Sequence, residues 1–412
     1  MSNIFLGREP IVDKEYNLYF YELLYKDNDL LDADSTRYTT ASIISAVLNK
    51  FGTHSLLGGR RAFVKIDEKF LLDDLILSIP KDFFIFSLLE SIEMSDEVVQ
   101  RVKLLKKEGY LLSIDNVVLT QESFEKYEVI FNELFYFKIK LREFGISVME
   151  MIHKLQENDI YVIAVGVDTQ EVFKKAKDMD IELFQGYFFA EPKILENATY
   201  EPSQAKVLAL YNLLLQDVSI KEITDAFEDA HEITLQLLRF INSGAFHFKN
   251  KISSIQHILT LMGRKPLAKW LMLMLYSKSA SKTDKVSPLM LLVKTRTELM
   301  EKIVLALKPN ADKELLGEAY FVGVLSLIEV VFGVELEKIL EDINISTDVE
   351  LALLKEEGFL GEVYKLIKNI ESFDVVLIEK FEKKYKLETG TLQQIMMQSI
   401  ENVNKFENPT QE

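Results

Sequence analysis

Tyr110-Leu-Leu-Ser-Ile-Asp-Asn-Val-Val-Leu-Thr120 decides how the first half of the chain is read. It is a short apolar run bounded by Gly109 and broken by Asp115-Asn116. A run of that length between turn residues has the signature of a buried strand. In parallel β/α proteins the strand C-termini carry the chemistry, so Asp115 is a candidate site residue.

The flanking sequence repeats the pattern. Upstream, Phe84 to Leu89 reads as a strand. Ser95 then caps a helix with Asp96 and Glu97 in its first turn, Val98, Val102 and Leu105 on one face, and Lys106-Lys107 before Gly109. Downstream, helical spacing of Phe124, Tyr127, Phe131 and Leu134 precedes a strand at Tyr136 to Ile139 and a helix through Val148, Met151 and Leu155. Tyr161 to Gly166 leads into a Thr169-capped helix, and Leu183 to Phe188 closes the series. At the N-terminus, Phe5 to Val12 and Leu18 to Tyr25 form a strand pair around the polar turn Asp13 to Asn17. Thr39 to Phe51 is a predicted helix and Ala62 to Ile66 a further strand. Repeated β/α units predict a parallel sheet covered by helices, and their number favours a closed barrel. No glycine-rich phosphate loop follows any of the strands, which counts against a dinucleotide-binding fold.

Beyond Ser203 long helical periodicities dominate, with hardly any strand-like alternation, among them Val207, Leu210 and Leu214, and Leu299, Ile303 and Leu307. The expected organisation is an α/β barrel over 1–198, an all-helical domain with a C-terminal extension over 199–403, and a frayed tail over 404–412. Lys308 to Lys313 is a predicted break within the helical part.

The chain has 412 residues, no cysteine and a formal net charge of -17. Absence of cysteine removes disulfides and thiolate chemistry. The negative charge argues against broad nucleic-acid or anionic-membrane binding. Arg8 and Glu9 interrupt the first apolar run, and Ala319 to Val334 is shorter than the ~20 residues of a spanning helix. A cytoplasmic setting is expected, with neither membrane nor nucleic acid as partner.

The polar residues at the predicted strand ends are Glu22, Lys65, Glu90, Asp115 with Asn116, Lys138 with Lys140, and Asp168. The three acids suit a hard divalent cation and the three lysines do not. Arg8-Glu9-Pro10-Ile11-Val12, Tyr21-Glu22-Leu23-Leu24, Ser113-Ile114-Asp115-Asn116, Lys138-Ile139-Lys140, Ala164-Val165-Gly166-Val167-Asp168 and Gln185-Gly186-Tyr187 together resemble, in order and spacing, the EAL-domain cyclic di-GMP phosphodiesterases over about residues 3 to 195.

That resemblance implies a modified TIM barrel and two-metal hydrolysis of cyclic di-GMP. Glu22 and Asp115 match metal ligands, Lys138 the lysine beside the attacking water, and Gln185 the family glutamine. Glu90 matches the second glutamate of a Glu-x-x-Glu motif whose first position is Ser87 here. Lys65 stands for a ligand asparagine, Asn116 and Lys140 for aspartates, and Val165 for the catalytic glutamate. Lys26 replaces the phosphate-binding arginine, and Glu9 replaces a glutamine. The loop Asn116 to Thr120 lacks the glycines of relatives, in which it couples dimerisation to activity.

Two divalent cations need surplus carboxylate, yet Glu22, Glu90 and Asp115 are balanced by Lys65, Lys138 and Lys140. Lys65 and Lys140 are therefore expected to occupy the former metal positions, with no bound metal and no cofactor.

In the helical half, Leu237 to Phe246, Ile252 to Ile255, Leu261-Met262-Gly263 and Trp270 resemble the HDOD domain, a relative of metal-dependent HD phosphohydrolases. No His-Asp pair occurs; His231-Glu232 is the nearest approach, and His54, His153, His231, His247 and His257 lack ligand spacing. Met272 and Met274 are compatible with an adaptable partner groove, but their helical apolar run, like Trp270, is expected in the core.

The resulting expectation is a bacterial-type signalling protein with an inactive EAL-like barrel and an HDOD domain, acting through unidentified protein partners. By resemblance its output is control of motility or attachment, and a homodimer is compatible with it. The alternatives are a non-hydrolytic cyclic di-GMP sensor, with Lys26, Lys138 and Gln185 touching the nucleotide, and an active phosphodiesterase.

Overall fold

Period-two alternation along short strands builds the first compact unit. In the computed structural model eight strands close into a barrel in chain order: β1 (Ile4–Asp13), β2 (Leu18–Asp27), β3 (Ala62–Ile66), β4 (Phe84–Leu89), β5 (Leu111–Val117), β6 (Tyr136–Lys140), β7 (Tyr161–Val165) and β8 (Leu183–Gln185). The structure describes residues 4–27, 40, 44, 47–48, 53–141, 145–191, 202–216, 218–231, 233–234, 237, 254–277, 287–341, 345–388 and 390–407.

Strands β2 to β8 run parallel to their neighbours, whereas β1 is antiparallel to both β2 and β8. The reversal has a local cause, because a tight turn permits only an antiparallel pair. The Asp13 carboxylate accepts from the backbone N–H of Glu15 and from both the N–H and the side chain of Asn17, which fixes that turn.

Inward parity gives the barrel an apolar floor. Ile11, Phe63, Ile85, Ile163, Val165 and Leu183 pack together with Phe20, Leu111 and Tyr136. Two residues further along several strands the same face becomes polar, at Glu22, Lys65, Ser87, Ser113, Lys138 and Gln185, because side chains on one face recur every second residue.

The outer helices of the barrel are α1 (Thr53–Leu57), α2 (Glu68–Leu72), α3 (Asp96–Lys107), α4 (Gln121–Glu128), α5 (Ile146–Glu157) and α6 (Gln170–Asp178). Ser95, Thr120 and Thr169 cap α3, α4 and α6, each accepting from a backbone N–H in the first turn. Two expectations change. The periodicity through Leu134 divides into α4 and a 3-10 turn at Phe131–Glu133, and the last strand stops at Gln185 before a 3-10 turn at Phe188–Ala190. The predicted helix Thr39 to Phe51 lies largely outside the described residues.

The second unit is helical: α7 (Pro202–Leu215), α8 (Ile220–Asp229), α9 (Ile255–Met262), α10 (Arg264–Ser277), α11 (Pro288–Leu307), α12 (Lys313–Leu325), α13 (Ile328–Phe332), α14 (Leu336–Glu341), α15 (Thr347–Lys355) and α16 (Gly358–Glu371). The expected break after Leu307 is present, and Asp312 caps α12. Ala319 to Val334 is two helices rather than one, interrupted after Leu325. Gly323 lets α12 meet α11 closely, since a Cβ there would lie 2.7 Å from Thr297 Cα. Trp270 and Met272 are buried as expected, while Met274 is half-buried. No helix among the described residues is long and apolar enough to cross a membrane.

The compact units do not follow the expected boundary at residue 198. Met1–Glu191, Ser281–Pro288 and Ile370–Glu412 form one; Pro192–Ala280 and Leu289–Asn369 form the other. Helices α17 (Val375–Tyr385) and α18 (Thr391–Glu407) therefore belong with the barrel. Asn404, expected at the start of a frayed tail, is buried within α18, and residues 408–412 lie outside the described residues.

Candidate functional site

At the barrel mouth two lysines and two carboxylates from four strands form a closed ionic box. Lys65 Nζ on β3 lies 3.0 Å from Glu22 Oε1 on β2 and 3.1 Å from Asp115 Oδ2 on β5. Lys138 Nζ on β6 donates to Glu22 Oε2 and lies 3.3 Å from Asp115 Oδ1. It also sits 5.0 Å above the Phe63 ring. Each ammonium thus spans both carboxylates, and the four charges cancel.

Burial makes this balance obligatory. Lys138 and Glu22 are almost wholly enclosed, whereas 40% of the Lys65 side chain is exposed. A lone charge at such depth would lose its hydration with nothing in return. Burial by itself would raise the Glu22 pKa, but Lys138 and then Lys65 outweigh it and hold the carboxyl below its ordinary value. Burial would likewise lower Lys65, yet Glu22 and Asp115 reverse the sign and raise it.

A polar neighbour extends the box. Glu9 faces Glu22 directly across the β1–β2 ladder, and its carboxylate accepts a 2.6 Å hydrogen bond from Gln185 Nε2. Burial raises the Glu9 pKa, the Gln185 bond partly offsets this, and the negative Glu22 adds to the rise. Gln185 Oε1 and Ser87 Oγ are buried without a hydrogen-bond partner. Gln185 is aimed by the next residue: Gly186 has φ 141°, and a Cβ there would stand 2.1 Å from Val167 O. Only glycine permits that turn.

The structure assembles Glu22, Lys65, Ser87, Asp115, Lys138 and Gln185 as the sequence implied, with Val165 on the same face. It does not assemble four others. Lys140 is exposed at the rim and pairs with neither Glu22 nor Asp115; the buried lysine Lys138 takes the place expected of it. Glu90 lies beyond the end of β4 with its side chain exposed, and only its carbonyl is engaged, accepting from Lys126 and from the Tyr127 hydroxyl. Asn116 is exposed at φ 55°, inside the irregularity between Ile114 and Val117, and as the strand neighbour of Asp115 it lies on the opposite face. Asp168 serves the loop after β7, accepting from Tyr187 N–H. The Lys26 side chain lies outside the described residues.

Sequence reasoning counted Lys138 at the rim and missed it as the innermost member of the box. Lys138 and Lys140 share strand parity, so only depth separates them. Glu9 as the acceptor for Gln185 was legible only as a substitution; the signal available was its parity with Ile11.

An EAL-type barrel implies divalent cations between these strands, and the donor set does not fit them. Each carboxylate already faces two ammonium groups at the spot a cation would need. No group of three metal-ligating side chains occurs among the described residues. In the helical unit His231 and His257 are exposed and separate, and most of the motif Leu237 to Phe246 lies outside the described residues.

Comparison with known proteins places two family models on the chain. The EAL domain matches residues 61–192 and the HDOD domain residues 203–341. The protein YuxH of Bacillus subtilis (strain 168) is 26% identical over 379 residues, covering 90% of this chain and 91% of its own length. The cyclic di-GMP phosphodiesterase CdgJ of Vibrio cholerae serotype O1 is 26% identical over 386 residues, covering 91% of this chain and 86% of its own. Among solved structures, an EAL domain protein from Listeria monocytogenes EGD-e aligns with 45% of this chain and 87% of its own, at 16% identity and a TM-score of 0.37. The EAL domain of Xanthomonas citri FimX aligns with 46% and 87% respectively, at 13% identity and a TM-score of 0.38.

Proposed function

We propose, from the premise that this chain joins an EAL domain to an HDOD domain, that it is a catalytically inactive regulatory protein of the cyclic di-GMP-related group and acts through protein contacts. The observation that carries this reading is Lys65 Nζ, 3.0 Å from Glu22 and 3.1 Å from Asp115. An ammonium at that point repels a divalent cation and neutralises the carboxylates that would bind it. Ser87 and Val165 remove two further carboxylates on which the family chemistry depends. The name of CdgJ supports a link to cyclic di-GMP, and that relative is a phosphodiesterase.

The test is incubation of the full chain with cyclic di-GMP and Mg²⁺ or Mn²⁺. No linear dinucleotide is expected above a no-protein control; its appearance in proportion to protein overturns the reading. Affinity capture from the native cell then identifies the protein partner.

A second reading keeps the nucleotide without the chemistry. Gln185 Oε1 and Ser87 Oγ, buried at the mouth without partners, favour a polar ligand there. Calorimetry distinguishes the two: saturable binding of cyclic di-GMP at micromolar concentration establishes the sensor, and no heat beyond dilution leaves the scaffold.

A further inference from the structure

We infer that the C-terminal helix α18 is a positioning segment for the charged mouth, acting through the β1–β2 hairpin. This holds whether the mouth is inert, binds a nucleotide or hydrolyses one, because it concerns how Glu9 and Glu22 are held.

The need for such a segment lies in the barrel. β1 pairs with β2 from Ile4 to Val12, but β8 reaches β1 only at Ile11, Val12 and Asp13. The earlier part of β1 is thus a sheet edge inside a nominally closed barrel, with backbone groups left over. Helix α18 covers that edge. Its Gln393 Oε1 accepts from Leu6 N–H at 3.1 Å, supplying the missing ladder bond.

The rest of the helix continues the dock. Asn404 Oδ1 accepts from the Arg8 guanidinium at 2.9 Å, and its Nδ2 donates to Ser55 O on α1 at 2.6 Å. Arg8 also donates to Leu56 O and lies 4.2 Å over the Tyr21 ring, joining β1, β2, α1 and α18. Glu407 receives both arms of the Arg60 fork, at 2.9 and 2.6 Å, and Arg60 Nε donates to Leu18 O at the start of β2. Gln393, Asn404 and Glu407 are spaced by eleven and three residues, which puts them on one helix face.

Strand parity carries the dock to the mouth. Arg8 and Tyr21 face outward to α18, and their chain neighbours Glu9 and Glu22 face inward. A shift or rotation of the hairpin that frees Arg8 from Asn404 therefore displaces Glu22 from Lys65 and Lys138. The chain returns from the helical unit at Ile370, and three residues later Phe373, at φ 54°, presses on Gly7 of β1, where a Cβ would stand 3.0 Å from its ring. Any pull on the chain at that point reaches β1 directly.

The test uses the full chain, with Glu407→Ala and Asn404→Ala made separately and Arg60→Lys as a milder variant that keeps charge and loses the fork. The readouts are acetylation of Lys65 by acetic anhydride at pH 9, followed by peptide mass, and amide exchange strand by strand. Release of Glu22 takes away one of the two carboxylates that hold the Lys65 ammonium, so the free-amine fraction at pH 9 rises and acetylation is expected to speed by roughly a few-fold. The expected result is faster Lys65 acetylation in both alanine variants, an intermediate rate in R60K, and faster exchange in β1 and β2 with β5 and β6 unchanged. Wild-type Lys65 rates in all three variants, or exchange rising equally in every strand, overturns the inference.

Discussion

Lys65 on β3 places its ammonium 3.1 Å from Oδ2 of Asp115 on β5. The contact crosses β4, whose inward residue at that level, Ser87, is too short to intervene. Lys65 and Lys138 thus pair with Glu22 and Asp115 in a neutral ionic box.

Breaking the box from one side is costly. Lys138→Met leaves Glu22 and Asp115 with a single partner at depth, and a loss of about 3–5 kcal/mol is expected. Urea unfolding measures it. Adding Glu22→Gln to the same chain is expected to recover part of that loss.

The box makes stability depend on acid. The folded pKa of Glu22 is below its ordinary value of 4.5, so its contribution is complete above about pH 4.5 and is lost as pH falls through the lower folded value. Lys65 has the opposite sign: its contribution is complete below its ordinary 10.5 and is lost only above that. Thermal melts of Glu22→Gln are expected to show a flatter slope below pH 5 than the parent.

Glu382 on α17 works against the fold at neutral pH. It is buried, Oε1 has no hydrogen-bond partner, and burial with Glu379 nearby pushes its pKa up to about 7. Because the folded value exceeds the unfolded one, this group favours the fold more as pH drops from about 7 towards 4.5. Glu382→Gln is expected to be more stable than the parent at pH 8 by about 1–3 kcal/mol and equal to it at pH 4, by denaturant titration at both pH values.

The turn that aims Gln185 tolerates no side chain. Gly186→Ala puts a Cβ 2.1 Å from Val167 O at a φ of 141°. A loss of about 2–4 kcal/mol is expected, from backbone strain of about 1–3 kcal/mol and the added clash. Chemical denaturation reads the loss. An unchanged midpoint would mean that the loop after β7 can shift.

Removing the blocking charge is expected to open a cation site. Lys65→Asn with Ser87→Glu turns the balanced box into three carboxylates against Lys138. Manganese titration by calorimetry is expected to give saturable binding in this variant and none in the parent.

Local rules made most of the fold legible. The Ser95 cap, Gly109 and the short apolar runs located β3, β4 and α3 with their observed bounds. The same parity brought Glu22, Lys65, Asp115 and Gln185 to one face. Parity repeats every two residues and carries no depth, so Lys138 and Lys140 looked alike. The bulge after Ile114, which contains Asn116, was hidden for a similar reason: the strand pattern continues through it.

By itself, the sequence determined the order of elements, the division between β/α units and helices, and the placement of Glu22, Lys65, Asp115, Lys138 and Gln185 at the strand ends. These follow from spacing and side-chain chemistry along a short stretch of chain. Tertiary structure alone decided which lysine is buried between Glu22 and Asp115, and that the last helix belongs to the barrel. Both depend on residues far apart in sequence: Arg60 meets Glu407, and Leu6 meets Gln393, only because the β1 edge is left open by a short β8. No local periodicity encodes that gap.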